Sequence, residues 1–294
     1  MKANTASRTA QYMALFRALE TKRSSNKKLF NDPYAINFLD KTFKTVCNIS
    51  SLPFAYNIIS KIIQRKIPGA LSSGVVRTKY IDDLLQYTID IGTRQVIILG
   101  AGFDTRALRL DFLKNISVIE IDHPDTATLK VNILKKMLDY LPPNVSYLQI
   151  DFNTQNLNDL LNNHNIDFNT PSTIIWEGVT NYLTKDAVDK TFSLLKKFTK
   201  DSYIIFTYVD KLVLSKPELF FEAEKLLNNL NKIEESWTFG FNPAELSDYL
   251  KQFDFKLLED SGARDYRERY MPERKNISKG YEFYRVAFAQ KTNY

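Results

Sequence analysis

The 294-residue sequence predicts an α/β fold, a doubly wound seven-stranded sheet covered by a helical lid. Three observations lead there. From residue 94 onward, short apolar runs alternate with stretches of helical spacing. The first run ends in the glycine turn Leu99-Gly100-Ala101-Gly102. Acids then stand at or just past the ends of four consecutive runs. Apolar strands alternating with helices indicate a parallel sheet with both faces covered.

The elements follow in order. Residues 1–90 hold no convincing strand. Leu52–Ile67 places Ile58, Ile59, Ile62, Ile63 and Ile67 toward one helical face, with Lys61, Arg65 and Lys66 elsewhere. Such a helix packs on its own domain more often than it lies on a membrane surface. Pro68-Gly69 ends it, and Val75–Tyr87 restarts a helical pattern. Residues 94–102, 117–122, 146–151, 172–178 and 202–210 read as five strands. Helical spacing covers 105–113, 126–140 and 185–197, then a long stretch at 216–233 and a further one at 243–253. Residues 255–260 and 282–291 close the chain as a pair of strands, expected to be antiparallel. No Pro/Gly/Ser linker divides the chain. The expected division is therefore a helical N-terminal lid region, 1–90, and a core, 91–294, with a lid insertion at about 211–242.

Composition narrows the function. Charged and apolar fractions are those of a globular chain, which excludes a disordered or fibrous one. A single cysteine, Cys47, excludes an intramolecular disulfide framework. With only His123 and His164 beside it, no metal site is expected. No run of about 18 apolar residues is present, so no membrane span is expected. Arg17 and Glu20 interrupt the N-terminus before a signal-peptide core could form, and the chain reads as cytoplasmic. The net charge of +6 is uneven: residues 1–90 carry 14 basic and 6 acidic side chains, the remainder 26 and 28. That basic third suits an anionic partner or an ordinary solvated surface.

Ligands of open α/β sheets bind at the C-terminal strand ends. There stand Gly100, Gly102 and Asp104, then Asp122, Asp151, Glu177, and Tyr208 with Asp210. Glycines let backbone approach a ligand closely. Asp122 lies 20 residues past Gly102, where an acid accepts from ribose hydroxyls. A nucleoside cofactor follows. A dinucleotide fits poorly, because Asp104 would face its pyrophosphate and Thr105 stands where the third glycine of the fingerprint belongs. An amino-acid-tailed, cationic cofactor such as S-adenosylmethionine fits better. Asp104 also reads as a helix cap. Asp151-Phe152 suits an adenine, and Glu177 leaves a buried strand, where a carboxylate needs a partner or a ligand.

Taken together, Ser7-Arg8-Thr9-Ala10, Arg77–Asp83, Val96–Arg106 (with Gly-Ala-Gly-Phe-Asp-Thr-Arg), Glu120–Pro124, Asp151-Phe152 and Glu177–Leu183 resemble the leucine carboxyl methyltransferase family, including its bacterial O-methyltransferase branch. The resemblance spans most of the chain. It implies a class I methyltransferase, Rossmann-like sheet and S-adenosylmethionine as methyl donor, leaving S-adenosylhomocysteine. It implies Arg77 at the cofactor carboxylate, Gly100 and Gly102 at the methionine portion, Asp122 at the ribose, Asp151 and Phe152 at the adenine, and Glu177 at the ammonium. Asn153 departs from the family's usual continuation after that third strand.

The acceptor is expected to be a carboxylate of a small molecule or a peptide C-terminus. A carboxylate is already ionised at pH 7, whereas a hydroxyl acceptor needs a base that this histidine-poor chain does not obviously offer. Arg8, Tyr182 and Tyr208 are the candidates to orient it. Tyr12, Phe16 and Phe220-Phe221 are candidates for an apolar pocket, and Arg17 for a further positive charge. The first ~20 residues are expected to order only over ligand, as lids do. An RNA-binding protein or an NAD-dependent oxidoreductase are the competing readings, but no nucleic-acid-binding motif is visible and no nucleic-acid partner is expected.

Overall fold

In the computed structural model, which describes residues 8–151, 155–164, 166–272 and 279–292, a seven-stranded sheet runs in the order β3-β2-β1-β4-β5-β7-β6. The strands are β1 (Gln95–Leu99), β2 (Ser117–Asp122), β3 (Val145–Gln149), β4 (Ser172–Trp176), β5 (Tyr203–Val209), β6 (Phe255–Gly262) and β7 (Tyr284–Lys291). β1 to β5 pair in parallel, and β7 slots between β5 and β6 antiparallel to both. The expected five parallel strands and terminal antiparallel pair are therefore present. Strand order reverses at β1, with β2 on one side and β4 on the other, and this opens a crevice at the strand ends.

Helices cover both faces. In chain order they are α1 (Arg8–Thr21), α2 (Lys41–Ile49), α3 (Ala55–Lys66), α4 (Ala70–Asp90), α5 (Arg106–Arg109) and α6 (Pro124–Met137). Then follow α7 (Leu157–Asn163), α8 (Lys185–Leu195), α9 (Leu212–Ser215), α10 (Ala223–Lys232), α11 (Leu246–Lys251) and α12 (Ala263–Tyr270). Successive strand side chains point to opposite faces, so β1 divides its apolar run. Ile97 and Leu99 pack in a core with Val188, Phe192 and Leu250 from α8 and α11. Val96 and Ile98 pack on the other face with Tyr80, Ile81 and Leu85 of α4. A third core holds α1 to α3 together, with Leu134 of α6.

Two helical expectations break. The 105–113 stretch stops after α5 and resumes as a single 3-10 turn, Asp111–Leu113, which drops Leu113 into the core. The 216–233 stretch splits because Pro217 cannot continue a helix from α9 and Glu222 sits at φ 58 before α10. The chain leaves the sheet at Asp210 and returns at Phe241, where the two form an isolated bridge. The return limb is tied down by Thr238 N–H donating to Asn181 O at 2.8 Å.

Within α1, Ala14, Leu15, Phe16, Ala18 and Leu19 are buried, so the second half of the helix is a packed wall, while Arg8 at its start is exposed. The spacing of its apolar residues is irregular, and α2, α4, the 35–38 turn and Phe103 are among the neighbours that cover them.

The turn after β1 needs glycine for a stated reason. Gly100 has φ +69, and a Cβ there would lie 2.2 Å from Val179 Cγ2. Gly100→Ala combines left-handed strain with overpacking and should lower stability by about 1–3 kcal/mol, seen as a reduced Tm in thermal melts.

Candidate functional site

A cavity of about 1050 Å³ lies over the C-terminal ends of β1, β2 and β4. That volume is at the upper end of the ~300–1,000 Å³ of ligand sites, enough for two reactants. Of the residues singled out from sequence, Gly100, Gly102, Asp122, Asp151 and Glu177 line its floor. Arg77 enters from α4, Arg8 from α1 and Tyr182 from the segment after β4. Phe152 lies outside the described residues. Tyr12 and Phe16 of α1 form apolar wall, and Leu226, Leu230 and Ile233 form the wall facing it.

Glu177 is held by two arginines. Its Oε1 accepts from Arg77 Nε and its Oε2 from Arg106 Nη2, both at 2.9 Å. Burial opposes its charge, yet Arg106 and then Arg77 keep its carboxyl below the usual glutamate range. Arg106 also donates to Asp82 at 2.8 Å and pairs with Asp104. Asp104 is buried as well, and Arg106, Lys130 and Arg17 hold it at about 2. Its Oδ1 accepts from the N–H of Arg106, the first residue of α5, at 2.7 Å, although Thr105 and not Asp104 is the residue that precedes the helix. The Asp104 carboxylate is thus engaged by both the backbone and the guanidinium of Arg106. From Asp82 the network continues through Arg109 to Asp32 and Arg17.

Asp122 sits at the end of β2 with Oδ2 accepting from Gly102 N–H and Oδ1 from His123 N–H, the latter at 2.6 Å. Burial raises its carboxyl, against the pull of those two backbone donors. Behind it Glu120 and Lys130 form a buried pair at 2.5 Å, and burial pushes Glu120 up to about 7 despite the ammonium. His123 is the N-cap of α6, its Nδ1 accepting from Asp125 N–H at 3.4 Å.

On the other side of the cavity, Tyr182 hydroxyl lies 3.3 Å from Thr9 Oγ1, and burial pushes it up to about 12, so it is neutral at pH 7. Glu235 from the return limb accepts from Arg8 N–H at 2.9 Å and from the Thr9 hydroxyl. It closes the N-terminus of α1, where a carboxylate meets free N–H groups. Arg8 is at the rim, paired with Asp40 at 3.3 Å and stacked over Phe43.

Three expectations for this side are corrected. Tyr208 is not in the cavity: it lies in the opposite core, donates to Asp260 at 2.8 Å and accepts from Arg285 Nε at 3.0 Å. Strand alternation explains this, since its neighbour Thr207 takes the other face, where its hydroxyl accepts from Gly178 N–H at 2.8 Å. Phe220 packs on Phe283 and Phe221 points to solvent. Arg17 borders the cavity but is committed to Asp32 at 2.9 Å. Cys47 is buried in the N-terminal core, and burial pushes its thiol up to about 12. Among the described residues no cluster of His, Cys, Asp and Glu could hold a metal.

The comparisons bear on this site. The model of the family described as "Leucine carboxyl methyltransferase" matches residues 10–196. The chain belongs to the leucine carboxyl methyltransferase family. A Streptomyces coelicolor relative, named as an S-adenosyl-L-methionine-dependent methyltransferase, is 32% identical over 62% of this chain and 61% of its own length. A Streptomyces avermitilis relative with the same kind of name is 36% identical over 44% of this chain and 42% of its own. The match thus spans only about two fifths to three fifths of the length of these relatives. A crystal structure of a Thermobifida fusca methyltransferase superposes with TM-score 0.60 at 18% identity, covering 96% of this chain and 94% of that one, which shows the fold.

Nothing in the sequence motifs by itself marks a role for Arg106, Asp82, Arg109, Glu235 or Tyr284. Tyr284 packs its ring 4.5 Å from the Arg77 guanidinium, pairing a terminal strand with α4. A signal for Arg106 was present: a basic residue two positions past Asp104 on a short helix needs an acidic partner once buried. Arg106→Met would leave buried Asp104 without its ion-pair partner and take one of two guanidiniums from each of Asp82 and Glu177. It should destabilise the protein by about 3–5 kcal/mol in denaturant titrations, with the loss concentrated in the midpoint.

Proposed function

We propose that this chain is an S-adenosylmethionine-dependent methyltransferase that esterifies the carboxylate of an amphipathic acid. The observation that carries the reading is the Arg77–Glu177 pair at the glycine turn, opposite Asp122, in a cavity with room for a second molecule. A guanidinium beside a carboxylate is the complement of an amino-acid end, cation to carboxylate and anion to ammonium. Asp122 offers a buried acceptor to ribose hydroxyls. Gly102 adds backbone without bulk: a Cβ there would meet nothing nearer than 3.6 Å, so it would intrude on the cavity itself. Asp151, with Phe152 in sequence beside it, takes the adenine, and Gly100 and Gly102 take the methionine portion.

Bound there, the cofactor supplies an electrophilic methyl group on a sulfonium. The protein's part is alignment and exclusion of water. In this reading residues 1–90 and the 211–242 insertion act as the cover, and the Glu235 contacts to Arg8 and Thr9 join its two halves. Tyr182, neutral and buried, donates to the acceptor oxygen without adding a charge that would quench it. Several of the titratable groups lining the cavity support an acceptor that needs no base. Glu177 and Asp104 are neutralised by Arg106, Glu235 already accepts two hydrogen bonds, and His123 caps α6.

Asp122→Ala should weaken S-adenosylhomocysteine binding roughly tenfold to a hundredfold in calorimetry, the loss of a charge-assisted bond of about 1.5–3 kcal/mol. Binding within about twofold of wild type would remove Asp122 from the site. For the acceptor, the protein is incubated with labelled S-adenosylmethionine and a panel of fatty and aromatic acids beside the matching alcohols. Label in a base-hydrolysable ester supports the carboxylate reading; a base-stable ether would replace it with a hydroxyl acceptor.

A further inference from the structure

The helical hairpin α2–α3 carries a surface that the cavity does not use. Its five isoleucines, Ile58, Ile59, Ile62, Ile63 and Ile67, spread over about 180° at 100° per residue, wider than the ~100° stripe that one core contact covers. The structure divides them. Ile59, Ile63 and Ile67 pack against the N-terminal core. Ile58 and Ile62 do not: they are 58% and 47% exposed, and Phe54, one turn before Ile58, is 80% exposed. Leu52 at 60% and Ile49 at 48% extend the same end of the hairpin. Phe54 is held at φ 63, a conformation a bulky side chain seldom adopts, so backbone strain accompanies the most exposed ring of the patch.

Along the segment itself the charges have one sign, while Glu222, paired with Lys225, lines a groove beside Lys66. Between Lys41 and Ile67 stand Lys41, Lys44, Lys61, Arg65 and Lys66, and no acid. Lys61 and Arg65 lie three and seven residues past Ile58, flanking its stripe. Neither they nor Lys66 form an ion pair with a described residue. Arg65 and Lys66 also reach the cavity mouth, which Lys225 and Lys232 of α10 border from the other side.

We propose that the α2–α3 hairpin docks this protein on an anionic lipid bilayer, with Phe54, Ile58 and Ile62 entering the headgroup boundary and the lysines and Arg65 facing lipid phosphates. An apolar stripe with an all-basic flank is the complement of such a surface. An acidic protein partner would match the charge but would offer no reason for the apolar residues at the tip. Docking sets the cavity mouth beside the bilayer, where amphipathic acids reside. That last step alone rests on the proposed acceptor; the docking does not.

The test is co-sedimentation of the full chain with vesicles of phosphatidylcholine, alone or with 30% phosphatidylglycerol. The expected result is at least tenfold greater binding to the anionic vesicles, weakened in 1 M NaCl, where the screening length falls to about 3 Å. Phe54→Asn with Ile58→Ser, at exposed positions and with an asparagine that tolerates positive φ, should lose tenfold or more of that binding. Its Tm and S-adenosylhomocysteine affinity should be unchanged, which separates this proposal from the methyltransferase reading. Phe54→Trp should shift its fluorescence to the blue on anionic vesicles. Equal binding to both vesicle types, or full binding by the double variant, would overturn the proposal. So would sedimentation velocity showing a dimer that the double variant dissolves, since the face would then belong to a second copy of the chain.

Discussion

Everything at the strand ends depends on one buried ionic chain. It runs from Arg77 to Glu177, Arg106, Asp82, Arg109, Asp32 and Arg17, with Asp104 attached at Arg106. Four guanidiniums balance four carboxylates. Removing each such charge from water costs several kcal/mol, and attraction offsets that only when geometry and hydrogen bonds are nearly complete. The arrangement therefore tolerates little slack. It ties α1, the Asp32 loop, α4, the turn into α5 and the end of β4 into one relative placement. The two oxygens of Glu177 are fixed by separate arginines, and the Arg77 guanidinium is steadied by the Tyr284 ring.

The same chain explains where the basic excess of the N-terminal third goes. Part of it is internal: Arg17 and Arg77 are buried and neutralised by acids from other segments. Another part, Lys41, Lys44, Lys61, Arg65 and Lys66, lies on α2 and α3, where no acid accompanies it. A net charge summed along the sequence merges these two populations, although one holds the site together and the other faces solvent. The wall over the cavity has a comparable double nature. Its α1 half is packed like core, while the half contributed by 211–242 joins α1 through Glu235 and the segment after β4 through the Thr238 bond to Asn181.

Several elements were legible because their signals are local. Five apolar strands, the glycine turn and the acids beyond them follow from alternation, φ freedom and strand-end position, and each sits where that reasoning puts it. Tyr208 shows the limit. Period-two alternation says that Tyr208 and Thr207 face opposite ways, but not which face borders the cavity. The five isoleucines from Ile58 to Ile67 show it again: their spacing defines an arc, and only the packed neighbours decide how much of that arc is covered.

The sequence by itself determined the strands, the turn at Gly100 and Gly102, and the identity of the acids at the strand ends, since the signal for each is read within a few residues. Only the tertiary structure decided the partners of those acids. Arg106 meets Asp82 across 24 positions and Glu177 across 71, and Arg77 meets Glu177 across 100. Separations of that length leave no periodic trace along a chain. Such pairs form because burial makes an unpartnered charge intolerable, and which charges are buried is settled only when the helices close over the sheet.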